Sequence, residues 1–187
     1  MPFTFTPGPI DGLVIIEPRI FPDDRGFFME TYKASDFAAT GICGTFVQDN
    51  HSRSHKGTIR GLHFQKDPHA QGKLVRVTRG KVWDVIVDIR PTSATRGRWF
   101  GIELSEYNHT MFWIPPGFAH GFLALEDASE LQYKCTTEYH AASDAGIRWN
   151  DPELAIAWPV AQMDVLVSPK DASLPLFSEY LAQCCRS

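Results

Sequence analysis

The chain has 187 residues, of which 43% are hydrophobic, 12% aromatic and 21% charged, with a formal net charge of -4. A chain of this length can bury a substantial core in one domain spanning 1–187, and its acidic balance argues against general affinity for nucleic acid or anionic membrane. No apolar run approaches the roughly 20 residues of a spanning helix, and the opening Met-Pro-Phe-Thr-Phe-Thr-Pro lacks the basic and apolar regions of a signal peptide.

Phe3 and Phe5 alternate with threonines and Leu13 to Ile16 is a short apolar run, so two strands open the fold. Pro22-Asp-Asp-Arg-Gly26 reads as a turn with Arg25 near its tip, followed by a strand from Phe27 to Tyr32 that carries Glu30. Lys33 to Thr40 has the look of a short helical turn, capped by Ser35 or Asp36 and ended at Gly41. Phe46 to Asn50 is extended, with Gln48 and Asn50 on one face, and Arg53 to Gly57 is a polar loop. Lys73 to Arg79 and Lys81 to Ile89 alternate on either side of Gly80, which suggests a hairpin. Trp99 to Leu104 and Met111 to Ile114 are strands around a polar turn, and Pro115-Pro-Gly117 turns the chain into Ala119 to Leu125. Ser129 to Thr136 is a strand carrying Tyr133, Lys170 and Asp171 sit in a turn, and a short helix from Leu176 to Gln183 closes the chain. About ten short strands at intervals of roughly 8–12 residues make the signature of a β-sandwich or barrel. Cys43, Cys135, Cys184 and Cys185 have no metal-ligand spacing and read as reduced thiols of a cytoplasmic protein.

The richest stretch is Gly57-Thr-Ile-Arg-Gly-Leu-His-Phe-Gln65. In a regular strand Ile59, Gly61, His63 and Gln65 share one face and Arg60 has the other parity. A bulge at Gly61 is needed to bring Arg60 and His63 into one pocket. Farther on, Pro115-Pro-Gly-Phe-Ala-His120 has the Pro-x-Gly-x-x-His spacing of the second cupin motif. A metal cupin also needs a His-x-His pair and a glutamate. Here the matching positions hold His63-Phe-Gln65 and Lys73, and a lysine cation opposes a divalent ion. No metal and no cofactor are expected.

Without metal, these positions offer a base, a cation and a phenol. Histidine titrates near neutral pH, so His63 can abstract a proton. Lys73 can stabilise an oxyanion, Tyr133 can deliver a proton, and Asp171 can orient His63. Taken singly, Lys73, Tyr133 and Asp171 read better as surface salt-bridge or buried hydrogen-bonding residues than as catalytic ones.

Taken in order, however, the motifs form a set. Arg25-Gly-Phe-Phe-Met-Glu30, Gln48-Asp-Asn50, Arg60-Gly-Leu-His-Phe-Gln65, Gly72-Lys-Leu-Val-Arg76 and Gly80-Lys-Val-Trp-Asp-Val85 resemble the dTDP-4-dehydrorhamnose 3,5-epimerase family. So do Asp88-Ile-Arg90, Pro115 to Phe122, Tyr133-Lys-Cys-Thr136, Arg148-Trp-Asn-Asp-Pro152 and Ser168-Pro-Lys-Asp171. The resemblance implies a mainly β, metal-free jelly roll of the cupin type with a few short helices, usually a homodimer. It implies a dTDP-4-keto-6-deoxysugar as substrate, with His63 as the base paired with Asp171, Lys73 by the carbon-4 oxygen and Tyr133 as the acid. It also implies that Arg25, Arg60 and Lys170 lie near the nucleotide and diphosphate, and that Glu30, Gln48, Asn50, His120 and Tyr139 contact ligand. Where the family commonly has a glutamate this chain has Asp144, one methylene shorter, and Tyr139 is followed by His140-Ala-Ala in place of a proline-containing stretch. Alternative readings are a relative that inverts one centre only, a non-catalytic sugar-nucleotide-binding cupin, and a metal-dependent cupin.

Overall fold

The computed structural model describes residues 2–161 and 163–184. The chain opens with strands β1 (Phe3–Pro7), β2 (Val14–Pro18), β3 (Phe21–Asp23) and β4 (Gly26–Phe28), followed by helix α1 (Ala34–Ala38). The central strands are β5 (Gln48–Ser54), β6 (Thr58–Gln65), β7 (Lys73–Arg79), β8 (Lys81–Asp88), β9 (Trp99–Ser105), β10 (Met111–Ile114), β11 (Phe118–Ala124) and β12 (Ser129–Cys135). After a 3-10 turn at Ala141–Ser143 come β13 (Asp144–Gly146), β14 (Leu166–Val167), α2 (Pro169–Ala172) and α3 (Phe177–Cys184).

Two sheets face each other. Sheet I has the order β1-β2-β10-β7-β12-β5, and sheet II the order β13-β6-β11-β8-β9 with β14 beside β6. From β5 to β13 the chain changes sheet at nearly every connection, which is the jelly-roll pattern. Val75, Val77, Phe112, Ile114 and Leu131 of sheet I meet Val82, Ile86, Leu104, Phe118 and Phe122 of sheet II in the core. The other face of sheet II, with Ile59, Leu62, Val85, Val87 and Leu123, is covered by Leu154, Trp158 and Phe177 of the C-terminal segment. Burial on both faces explains why β8 and β11 are apolar nearly throughout rather than alternating.

Several expectations are corrected. The runs flanking Gly80 do not form a hairpin, because β7 pairs with β10 and β12 while β8 pairs with β9 and β11. One residue is too short to fold a strand back in the same sheet, so Gly80 instead makes a corner between sheets. Its φ is +69° and a β-carbon there would lie 2.7 Å from Ser129 Oγ, so glycine is required. Likewise β9 and β10 belong to different sheets. The strand expected over Phe27 to Tyr32 ends at Phe28, in a short hairpin with β3. The polar stretch from Arg53 is still strand, since β5 runs to Ser54 along β12. Helix α1 starts after Lys33 with no side-chain cap rather than at Ser35 or Asp36. The short strands β13 and β14 carry too few residues to show a period.

Candidate active site

The site begins with an irregularity in β6. Pairing with β11 runs His120 opposite His63 but Phe122 opposite Arg60, so the register slips by one at Gly61. This β-bulge flips the parity of the strand. Ile59 and Leu62 both join the apolar layer behind sheet II, while Arg60 and His63 both line one cavity. Gly61 has φ +128°, and a β-carbon there would lie 2.6 Å from Gly121 Cα. Only glycine permits that backbone conformation and that approach.

The edge of β6 is covered in two halves. β13 pairs antiparallel with Phe64 and its neighbours, and β14 pairs parallel with Thr58 and Ile59. β14 leads directly to Ser168, whose Oγ accepts from Asp171 N at 3.0 Å and caps α2. Asp171 thereby enters the gap between the two halves. Its Oδ2 accepts from Gly61 N at 3.1 Å and its Oδ1 meets His63 Nε2 at 2.7 Å. Burial alone raises a carboxyl pKa, but the bonds from His63, Gly61 and Ser168 and the charge of His63 outweigh it and hold Asp171 below its ordinary value. An ionised carboxylate only accepts, so in the neutral imidazole Nε2 carries the proton and Nδ1 holds the lone pair.

Sheet I supplies the opposite wall. Lys73, Tyr133 and Ser52 line the same cavity as Arg60, His63, His120 and Asp171, and its volume is about 530 Å³. Lys73 is buried, with its Nζ 3.5 Å from His63 O and 5.7 Å from the centre of the Tyr133 ring. Burial pushes the Lys73 ammonium below the ordinary lysine value, against the weaker pull of Cys135, Asp84 and Asp144. Burial pushes the Tyr133 phenol up, so it keeps its proton at neutral pH. A fixed cation, a histidine oriented by a carboxylate and a protonated phenol around one cavity can remove a proton, hold the resulting oxyanion and return a proton.

His120 is buried beside His63 on β11, and its Nε2 meets Asp84 Oδ1 at 2.8 Å. Asp84 was not singled out from sequence, although a carboxylate inside the apolar run Val82 to Ile89 is itself a signal that a partner exists. Gln65, in the place of a cupin metal ligand, accepts from His140 N at 2.6 Å and donates to His69 O and Glu138 O, each at 3.2 Å. Its amide therefore staples the loop after β12. Among the described residues no group of three or more His, Cys, Asp or Glu side chains could hold a metal ion.

Other expected residues are placed elsewhere. Gln48 donates to Asn50 Oδ1 at 3.0 Å and accepts from Tyr139 N at 2.7 Å, and Asn50 lines a neighbouring cavity of about 300 Å³ that also touches Tyr133. Arg25 lies outside the cavity at the β3–β4 tip, 90% exposed and paired with Asp23 at 2.6 Å. Glu30 lines a separate cleft with Arg19, Phe21 and Lys33. Tyr139 is exposed, and Lys170 and Asp144 are paired with each other at 2.5 Å. Cys43 is an exposed thiol and Cys135 a buried one; Cys185 lies outside the described residues.

Residues 7–179 match the family model described as dTDP-4-dehydrorhamnose 3,5-epimerase. The chain belongs to that family. The dTDP-4-dehydrorhamnose 3,5-epimerase of Escherichia coli (strain K12) is 53% identical over 173 residues, 92% of this chain and 93% of that protein. The epimerase of Legionella pneumophila Philadelphia 1, solved in complex with dTDP-4-keto-L-rhamnose, is 48% identical with a TM-score of 0.92, covering 97% of this chain and 96% of that one. A 3'-monoepimerase from Streptomyces bikiniensis, in complex with dTDP-quinovose, is 34% identical with a TM-score of 0.88 over 94% of this chain and 90% of that one. The mainly β jelly roll is thus the architecture of this epimerase family.

Proposed function

We propose that the protein is a dTDP-4-dehydrorhamnose 3,5-epimerase, a single-domain jelly-roll isomerase that needs no cofactor or metal. Its substrate is dTDP-4-dehydro-6-deoxy-D-glucose, whose carbon-4 ketone acidifies the hydrogens on carbons 3 and 5. His63 takes each proton through Nδ1, with Asp171 holding the imidazole and offsetting the charge it gains. The electron pair left on carbon moves onto the carbon-4 oxygen, where Lys73 stabilises the enolate. Tyr133 then gives its phenolic proton to the opposite face of the carbon, which inverts the centre. The phenol and imidazole exchange protons with solvent before the second inversion. The product is dTDP-4-dehydro-L-rhamnose.

The observation that carries this reading is one cavity lined by His63, Asp171, Lys73 and Tyr133 in a chain of this family. Arg60 and His120 line the same cavity and serve in binding. Arg25 and Glu30 lie away from it, and Phe21, Phe27 and Phe28 beside them are exposed. A homodimer in which this hairpin reaches the partner's cavity accounts for both facts. No helix among the described residues is long and apolar enough to cross a membrane, and a charged sugar diphosphate does not cross one unaided, so the reading places the enzyme in the cytoplasm. The similarity to a 3'-monoepimerase keeps inversion of one centre as the second reading.

Proton NMR of dTDP-4-keto-6-deoxyglucose in deuterated water separates them. Loss of signal at carbons 3 and 5 supports the double epimerase, loss at one supports the single-centre enzyme, and no exchange at either rejects both.

A further inference from the structure

Gln65 ends β6 with the same parity as His63. It is buried, yet its amide bonds to none of His63, Asp171, Lys73 or Tyr133. Its Oε1 accepts from His140 N at 2.6 Å and its Nε2 donates to Glu138 O at 3.2 Å, so one amide grips the backbone on both sides of Tyr139. The N–H between those two groups, that of Tyr139 itself, donates to Gln48 Oε1 at 2.7 Å. The rest of this loop is fastened to the residues that follow β6. Gln71 Nε2 donates to Thr137 O at 2.7 Å, Lys66 N donates to Ser143 O at 2.9 Å, and the His69 and His140 rings stack with centres 3.9 Å apart. The Tyr139 ring, by contrast, is 56% exposed. Its hydroxyl lies 3.4 Å from Asp144 Oδ2, and the residue stands outside the cavity that holds His63. Loops of this kind are ordinarily mobile. Here the backbone at Tyr139 is pinned, and only the side-chain torsions of an exposed ring stay free.

Resting on the epimerase reading, we infer that Gln65 is a positioning residue for Tyr139: its amide holds the loop after β12 so that the Tyr139 ring is preset as a contact for the nucleotide part of the substrate. The keto sugar must reach His63 inside the cavity, so a ring outside it meets what extends from the sugar. A contact fixed before the substrate arrives avoids the ordering cost that weakens binding. The groups that move protons have their own attachments, so loss of Gln65 is felt in binding rather than in turnover.

Binding of dTDP to the full-length enzyme, and its kinetics with the 4-keto sugar nucleotide, test the inference. Gln65→Met keeps the length of the side chain and removes both polar groups. It is expected to raise KM and the dTDP Kd about tenfold, about 1.4 kcal/mol, with kcat within about twofold of wild type. In a Tyr139→Ala background the same substitution should change Kd less than about twofold, because the residue it positions is gone. Gln65→Glu adds a pH signature. An ionised carboxylate only accepts, and it repels the carbonyls of Glu138 and His69, whereas a protonated one again offers one donor and one acceptor. Its Kd relative to wild type should therefore be high at alkaline pH and fall toward one as pH falls. Lys66, His69, Glu138, Tyr139, His140 and Asp144 surround the position, and the ratio to wild type at each pH removes their own titration. An unchanged Kd in Gln65→Met, or effects of Gln65→Met and Tyr139→Ala that add, would overturn the inference. So would a lowered kcat at unchanged Kd, which would make Gln65 a support for His63 instead. If Gln65→Met does not fold, Gln65→Glu decides, and a Kd ratio that stays level as pH falls overturns the inference. A wild-type enzyme that neither binds dTDP nor exchanges either proton refutes the epimerase reading instead, so the two failures are distinguishable.

Discussion

Replacing Gly61 with alanine tests whether the bulge in β6 builds the site. The new β-carbon would lie 2.6 Å from Gly121 Cα and 2.9 Å from His120 O, both backbone atoms of β11 that cannot swing aside. Holding alanine at φ +128° adds strain of about 1–3 kcal/mol. Forcing a methyl group into closed packing adds about 1–3 kcal/mol more. The sum is about 4 kcal/mol, a large share of the roughly 5–15 kcal/mol that stabilises a typical domain. For a chain of this size about 4 kcal/mol lowers Tm by roughly 8–16 °C. Relief by moving β6 away from β11 would shift Gly61 N–H and with it Asp171, so proton exchange should fall by about 100-fold even in the folded variant. Thermal melting by circular dichroism and the NMR exchange assay read the two effects. A variant that melts within about 2 °C of wild type and exchanges at the normal rate would falsify the account of Gly61.

His63→Ala should abolish exchange at both carbons while leaving dTDP affinity largely intact; exchange at the normal rate would place the base elsewhere. Tyr133→Phe should reduce net inversion more than exchange, and equal loss of both would make Tyr133 a wall of the pocket rather than the acid. Because burial lowers the Lys73 pKa from its ordinary 10.5, activity should decline at alkaline pH before an exposed lysine would titrate. Between the lowered value and 10.5 the unfolded chain binds more protons than the folded one, so the cost of burying Lys73 shrinks as pH rises. Chemical denaturation should therefore find Lys73→Met more stable than wild type, by a margin that narrows toward pH 10.5; a margin independent of pH would contradict the desolvation. Phe112, fully buried in the inter-sheet core, should cost about 3–5 kcal/mol when cut to alanine, read as a lower denaturant midpoint at unchanged m.

The local pattern of residues was sufficient for much of this protein. Alternating and apolar runs bounded by glycine and proline marked the long strands, since a period of two survives whatever the strand packs against. The opposite parities of Arg60 and His63, with a glycine between them, called for the bulge that β6 contains. Which strands pair was a different matter. A glycine between two strands is compatible with a hairpin or a corner, and Gly80 became a corner only because both sheets offered better partners. Asp171 is more than a hundred residues from His63 in the chain, with |i−j| of 108, and no periodicity relates them. Their contact depends on β14 delivering α2 into a gap in the edge of β6. The same holds for Asp144, whose partner is Lys170, and for His120, whose partner is Asp84. Side-chain chemistry is a property of residues and is written in the order of the chain, whereas the pairing of charges is a property of space and follows from how the two sheets close.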